Sequence, residues 1–225
     1  MPSEKYTKVI KLVSAAQNGQ VSDMLKNAGM KYKVIYGLSM ADLRNIASRF
    51  YPDRELADEL WERDIREAKV ISLLVDDPEK VTKEQVIKRA EEFDNIELAE
   101  QAGGYFFPKL PFATEIVETL CQSDNEITRA AGFILAGKIA AGNIKVDDEV
   151  LAKYLDLTKE HAKYASLPER RAISTALRLI GRRNKQLNDK ATEVTKEIEK
   201  MNTESAKWIA EDVLLALEMY RERFN

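Results

Sequence analysis

The sequence predicts an all-α fold, an α-solenoid or superhelix of antiparallel helix pairs that takes in residues 1–225 as a single domain. Three observations carry this expectation. Apolar residues recur at helical rather than alternating spacing along almost the whole chain. Turns rich in Gly, Pro, Asn and Asp separate the periodic stretches. Only Val34-Ile35-Tyr36 reads as β, and it is too short to build a sheet.

The elements follow in order. Residues 4–17 place Tyr6, Val9, Ile10 and Val13 on one helical face, and Asn18-Gly19 ends that helix with residues that tolerate the left-handed conformation. A short helix follows around residues 21–26. Ser39 with Asp42 opens a helix whose apolar stripe is Leu43, Ile46, Ala47 and Phe50, stopped by Pro52. Residues 53–75 hold two helices before Asp77-Pro78 breaks the chain, and Thr82 with Gln85 caps the next. Then comes RAEEFDNIELAEQAGGYFFPKLPFA, residues 89–113. It reads as the end of one helix, a break at Phe93-Asp94, and a second helix to about Phe107, stopped by Pro108 and Pro111. Residues 112–120 form a short helix. Ser123 with Glu126 caps a long one through Ala140, with Ile127, Ala130, Ala131, Ile134 and Leu135 inward. Two less periodic helices, 147–157 and 159–165, precede one that Pro168 opens and Gly181 ends. Helices over 184–200 and 203–221 complete the chain. About a dozen helices of roughly 10–17 residues, with short turns and no dominant buried helix, point to stacked pairs of the HEAT kind. A compact irregular helical bundle is the alternative.

Composition narrows the chemistry. The chain of 225 residues is 44% hydrophobic and 32% charged, which suits a globular protein. The first residues lack a signal-peptide apolar run and no window nears the ~20 apolar residues of a membrane helix, so a cytoplasmic location without membrane attachment is expected. The one cysteine, Cys121, cannot pair internally, in keeping with a reducing compartment. With His161 as the one histidine, a His/Cys zinc site has no ligand set, and no metal is expected. Phosphate-loop and dinucleotide motifs are absent, so no cofactor is expected. The net charge of −3 gives no global sign of a nucleic-acid partner.

That near-neutral total hides two segments of opposite sign. Residues 159–190 hold nine Lys or Arg against three Asp or Glu, whereas residues 76–100 hold nine acidic against four basic. Within the basic segment Arg171, Thr175, Arg178 and Arg182 are spaced four, three and four, so they share a helix face. Ile173, Leu177 and Ile180 occupy the other side. Three guanidiniums on one exposed face suit phosphates, which they grip bidentately. The same face reads equally well as a solvated one, neutralised by Glu169 and the acidic segment.

In residues 89–113, an ideal helix sets Ile96, Glu100, Gly103 and Phe107 on one face and Leu98, Ala102 and Tyr105 on the opposite, core face. A carboxylate among small and apolar residues is a candidate for chemistry, and also an ordinary solvated glutamate.

Four stretches resemble the DNA alkylation repair family of HEAT-like-repeat DNA glycosylases. They are YKVIYGLSMADLRNIA, LWERDIREAKVISLLV, EFDNIELAEQ and RRAISTALRLIGRRNKQLNDKA, and with the helix order they extend the resemblance over most of the chain. The last two are the specific ones, because members there carry W-D-x-x-D and W-A-L-R patterns. The resemblance implies a protein that binds duplex or distorted DNA on a concave face and excises cationic alkylpurines without taking the base into a pocket. Tryptophans contact the lesion nucleotide, and an aspartate stabilises the sugar cation. Here the first tryptophan position is Ile96, the aspartate position is Glu100 and the second tryptophan position is Thr175. The arginines of the pattern correspond to Arg44, Arg129 and Arg178. Trp61 and Trp208 lie elsewhere and read as packing residues.

The resulting expectation is a DNA-binding monomer with weakened or lost base excision. Glu100 is its catalytic candidate, with Arg44, Arg129, Arg171, Thr175, Arg178 and Arg182 on DNA. Ile96 and Phe107 lie beside the lesion, Phe107 partly replacing an aromatic wall. The rival is a non-catalytic solenoid that binds a protein on its concave face.

Overall fold

The computed structural model describes residues 2–142 and 144–224. Its contacts gather into two compact units, residues 1–82 and 83–225. Thirteen α-helices are present among the described residues, and the β-like run at Val34 yields one isolated bridge to Ile65.

The first unit contains α1 (Glu4–Ala15), α2 (Gly19–Asn27), α3 (Met40–Ser48), α4 (Arg54–Trp61) and α5 (Arg66–Val75). Ser3, Asn18, Ser39 and Asp53 cap the first four, each side chain accepting from a backbone N–H that the helix start leaves unpaired. The irregular chain before α3 is held from α5. The fully buried Glu67 carboxylate accepts from the N–H groups of Tyr36, Gly37 and Leu38 at 3.0, 2.9 and 3.3 Å, and Arg66 balances its charge at 2.9 Å. A buried carboxylate is tolerated when paired and hydrogen-bonded in this way.

The second unit contains α6 (Lys83–Ala90), α7 (Ile96–Gln101), α8 (Ala113–Cys121), α9 (Glu126–Ala141), α10 (Asp148–Ala162), α11 (Leu167–Gly181), α12 (Lys185–Glu199) and α13 (Glu204–Arg221). Helices two apart in sequence pack side by side: α6, α8, α10 and α12 form one row, and α7, α9, α11 and α13 the other. Consecutive helices α8 and α9, and α12 and α13, join the rows. No helix could bury its stripe alone, and stacking supplies the cover.

Three local expectations change. Residues 148–162 are one helix, not two. The cap of α9 is Asn125, accepting from Ile127 and Thr128 N–H, while Ser123 in turn accepts from Asn125. A dominant buried helix does exist: α9 is apolar nearly all round, with ten buried residues from Thr128 to Ala140. Such a helix has no preferred outward face and belongs inside.

The largest change follows α7. The chain does not continue as α-helix to Phe107. It widens into a π turn at Ala102–Phe106, with the Phe107 N–H donating to the Ala102 carbonyl, then tightens into a 3-10 turn at Phe107–Lys109. The wider turn rotates everything beyond Gln101. Leu98 and Ala102 are buried as the ideal helix requires, but Tyr105 turns outward, 43% exposed. Gly103 and Phe107 turn inward.

Candidate functional site

The start of α9 fixes α7. Asn125 donates to the Phe93 carbonyl at 2.8 Å, and the buried Thr128 hydroxyl donates to the Ala90 carbonyl at 2.6 Å. Asn95 then caps α7, accepting from Leu98 N–H. Along α9 the π turn lies very close: a Cβ on Gly103 would fall 2.5 Å from the Ala131 carbonyl oxygen. Only glycine permits that approach.

Between α7, the π turn, α9 and α11 lies a cavity of about 470 Å³. Ile96, Glu100 and Gln101 come from α7, Gly104 and Tyr105 from the π turn, and Ile134 and Lys138 from α9. Leu167, Pro168, Arg171, Ala172 and Thr175 come from α11. Four residues singled out in the sequence, Ile96, Glu100, Arg171 and Thr175, thus meet around one space, although α7 ends at residue 101 and α11 begins only at residue 167.

Glu100 sits at the open edge of this space. Partial burial pushes its carboxyl above the usual carboxylate range, the charge of Glu97 adds to the effect, and Arg171 opposes it. The Arg171 guanidinium makes no ion pair among the described residues. Thr175 donates its hydroxyl hydrogen to the Arg171 carbonyl at 2.9 Å. Lys138 places its ammonium 5.7 Å from the Tyr105 ring centre. Gln101 is 5% exposed, and its side-chain oxygen has no hydrogen-bond partner.

Two expected site residues are elsewhere. Phe107 is 2% exposed and stacks on Phe93 with centroids 6.3 Å apart, so it is core and not a wall beside Glu100. The π turn is the reason. Arg129 is held internally: Nε and Nη2 bind the Glu169 carboxylate at 2.6 and 3.0 Å, and Nη1 donates to the carbonyls of Ser123 and Asp124. Glu169 is 2% exposed, and His161 Nδ1 lies 3.6 Å from it. Arg129 therefore locks α9 to α11, its guanidinium taken up by internal partners.

The remaining arginines differ. Arg178 pairs with Asp212 at 3.2 Å, and the buried Ser174 hydroxyl shares that carboxylate. Arg182 is exposed at the end of α11, with no acidic partner among the described residues. Arg44 is exposed on α3, in the first unit. The tryptophans are packing residues: Trp61 is buried, and Trp208 is half-buried beneath Arg170 at 5.1 Å. Gln101, Lys138 and Tyr105 were not anticipated at the site. Lys138 alone carried a sequence signal, as the one charge after Arg129 in the apolar later half of α9.

The family model described as DNA alkylation repair enzyme matches residues 9–208. The chain belongs to that family. Its fold is shared with a solved protein from a group related to the HEAT-like repeat DNA glycosylases, described as having affinity for branched DNA structures. The TM-score is 0.76 at 17% identity, over 97% of this chain and 95% of the other. A designed armadillo repeat protein aligns over 96% of this chain and 95% of its own at 16% identity, with a TM-score of 0.44. No curated protein matches the sequence. Among the described residues of this DNA alkylation repair family member, no helix is long and apolar enough to cross a membrane, and no group of three or more His, Cys, Asp or Glu is placed to hold a metal ion.

Arg129→Ala is expected to leave Glu169 buried and unbalanced, destabilising the chain by about 3–5 kcal/mol. A drop in the urea midpoint at unchanged slope checks this. A surface phosphate contact would leave the midpoint in place.

Glu100 is expected to give a small pH-dependent contribution of the opposite sign to most carboxylates. Its folded pKa is raised, so between the ordinary value, about 4.3, and the raised one the folded chain retains a proton that the unfolded chain has released. Stability from this group therefore falls as pH rises through that window. Urea midpoints across about pH 4–7 should fall more steeply in wild type than in Glu100→Gln. Parallel curves would exclude the effect.

Proposed function

We propose that the protein binds DNA whose regular duplex is distorted or branched, through the cavity-bearing face of its second unit. The supporting observation is a pattern of neutralisation. Arg170, Arg178 and Arg183 each form an ion pair, with Glu204, Asp212 and Asp148, whereas Arg171 at the cavity forms none among the described residues and feels Glu100 only at longer range. An unpaired guanidinium beside a cavity is suited to a phosphate. Arg182 and Lys138 add positive charge, Arg178 remains within reach beside Thr175, and Arg44 is a further candidate contact on the first unit. Family membership supports the DNA reading. So does the affinity for branched DNA of the protein that shares the fold.

Base excision is the weaker part of the reading. Glu100 is positioned to stabilise a sugar cation, and partial desolvation strengthens such a carboxylate whenever it is ionised. The walls at Ile96 and Thr175 supply no aromatic face for a cationic base. Excision of simple N-methylpurines is accordingly slow or absent.

With three to five phosphates neutralised, the logarithm of DNA affinity should fall against log salt with a slope of roughly −3 to −4.5. Arg171→Ala should flatten it by about one unit for every DNA sequence tested. A binding constant indifferent to salt would overturn the DNA reading.

Release of 7-methylguanine or 3-methyladenine from methylated DNA should be slight in wild type and absent in Glu100→Gln. It should rise in the Ile96→Trp, Thr175→Trp double variant. Strong wild-type release that survives Glu100→Gln would place the chemistry on other residues.

A further inference from the structure

We propose that the loop between α10 and α11 is a wedge for DNA branch points: Tyr164, with Leu167 beside it in sequence, covers the open flat face of the last base pair of an arm. This deepens the DNA-binding reading and rests on it. No base leaves its stack, so recognition proceeds without a pocket.

Exposure singles this loop out. Tyr164 is 80% exposed, the highest value of any large apolar side chain among the described residues, and Leu167 is 46% exposed. One exposed apolar side chain is ordinary, but two on a single short turn make a patch. The turn is held on both sides. The Thr203 hydroxyl donates to the Lys163 carbonyl at 2.6 Å. Ala165 is buried between the two exposed residues, and the Arg170 N–H donates to the Ser166 carbonyl at 2.8 Å as α11 begins. Pro168 sets the first turn of that helix. The ring is thus presented on an anchored backbone, which lowers the ordering cost of any contact it makes.

The surroundings suit nucleic acid. The Lys163 ammonium stands over the Tyr164 ring, 5.2 Å from its centre. Leu167 lines the cavity together with Arg171 and Lys138, so one flank of the turn adjoins the face proposed to hold phosphates. Of the acids near the turn, Glu204 is paired with Arg170, and Glu160 shares a hollow with Lys159 and Lys163. An aromatic ring among cations combines stacking with charge, a combination that binds nucleic acid without reading its sequence. Continuous duplex offers no free base-pair face, because each pair is covered by its neighbours. Where strands part or are interrupted, the last pair of an arm has one face open to water, and an apolar wedge placed there buries it. A preference for branched DNA follows.

The test compares a three-strand DNA junction with a continuous duplex of matched length and composition, using the full chain and fluorescence anisotropy. Wild type should bind the junction more tightly. Tyr164→Ala should weaken junction binding roughly tenfold and leave duplex binding unchanged. The salt dependence should keep its slope on both DNAs, because no phosphate contact is lost. Tyr164→Trp should retain the preference. Tyr164 lies outside the core, so both variants should keep their fold, which a circular dichroism melt verifies. A junction preference that survives Tyr164→Ala, or a loss shared equally by the two DNAs, would overturn the proposal while leaving the DNA reading intact. Equal binding of junction and duplex by wild type would do the same. No salt-dependent binding of either DNA would overturn the DNA reading and the proposal with it.

Discussion

The second unit depends on how closely α9 is approached by its neighbours. On one side the π turn rests on it through Gly103. On another, a Cβ at Gly132 would fall 2.8 Å from both the backbone nitrogen and the sulfur of Cys121 on α8. At such separations backbone packs on backbone, and dispersion contacts accumulate over the whole length of the helix. The same approach shapes the site. Phe106 and Phe107 enter the core, and the backbone that delivers them must lie flat on α9. An ideal α-helix would set Phe107 on the face opposite Leu98 and Ala102. The widened turn meets both demands, and its consequence is that Tyr105 points outward over the cavity.

Charge is arranged by the same stacking. The excess of basic residues between 159 and 190 is largely met by acids on adjacent helices: Lys159 with Glu197, Lys190 with Asp156, Arg183 with Asp148. Each such exposed pair contributes little to stability. Their effect is on what remains unpaired. They leave Arg171 and Arg182, on and just after α11, among the cations of the stretch that make no ion pair among the described residues. The buried Arg129–Glu169 pair has a different role. It sits between α9 and α11, two of the elements that line the cavity. Its loss would change the site's shape as well as the chain's stability.

Much of the fold was legible because local signals agreed. Ser39 and Pro168 mark helix starts by chemistry that acts within one turn, and the stripe of Leu43, Ile46 and Ala47 is buried as its spacing demands. The convergence of Ile96, Glu100, Arg171 and Thr175 was half legible. Each helix face followed from periodicity, but that the faces meet depends on stacking. What stayed hidden is non-local. Phe107 and Tyr105 exchanged sides because a π turn is fixed by packing against α9, and an ideal helical projection contains no such information. Arg129, expected on DNA from the family pattern, is held by a carboxylate forty residues away, which no local pattern reveals. The acids that pair with the basic stretch 159–190 are likewise on α10, α12 and α13, and not in the acidic stretch before Glu100.

These placements bear on what the cavity can prefer. Where the family resemblance implies aromatic faces for a cationic base, this chain has Ile96 and Thr175, which offer no quadrupole. Tyr105 supplies a ring from another direction, but the Lys138 ammonium already stands near it. A second cation brought to that ring would meet like charge in a partly desolvated space, where repulsion is poorly screened. A neutral group meets no such penalty. Arg171 further offsets the negative charge of Glu100 that would otherwise draw a cation in. The charges around the cavity thus oppose the entry of a further cation at Tyr105.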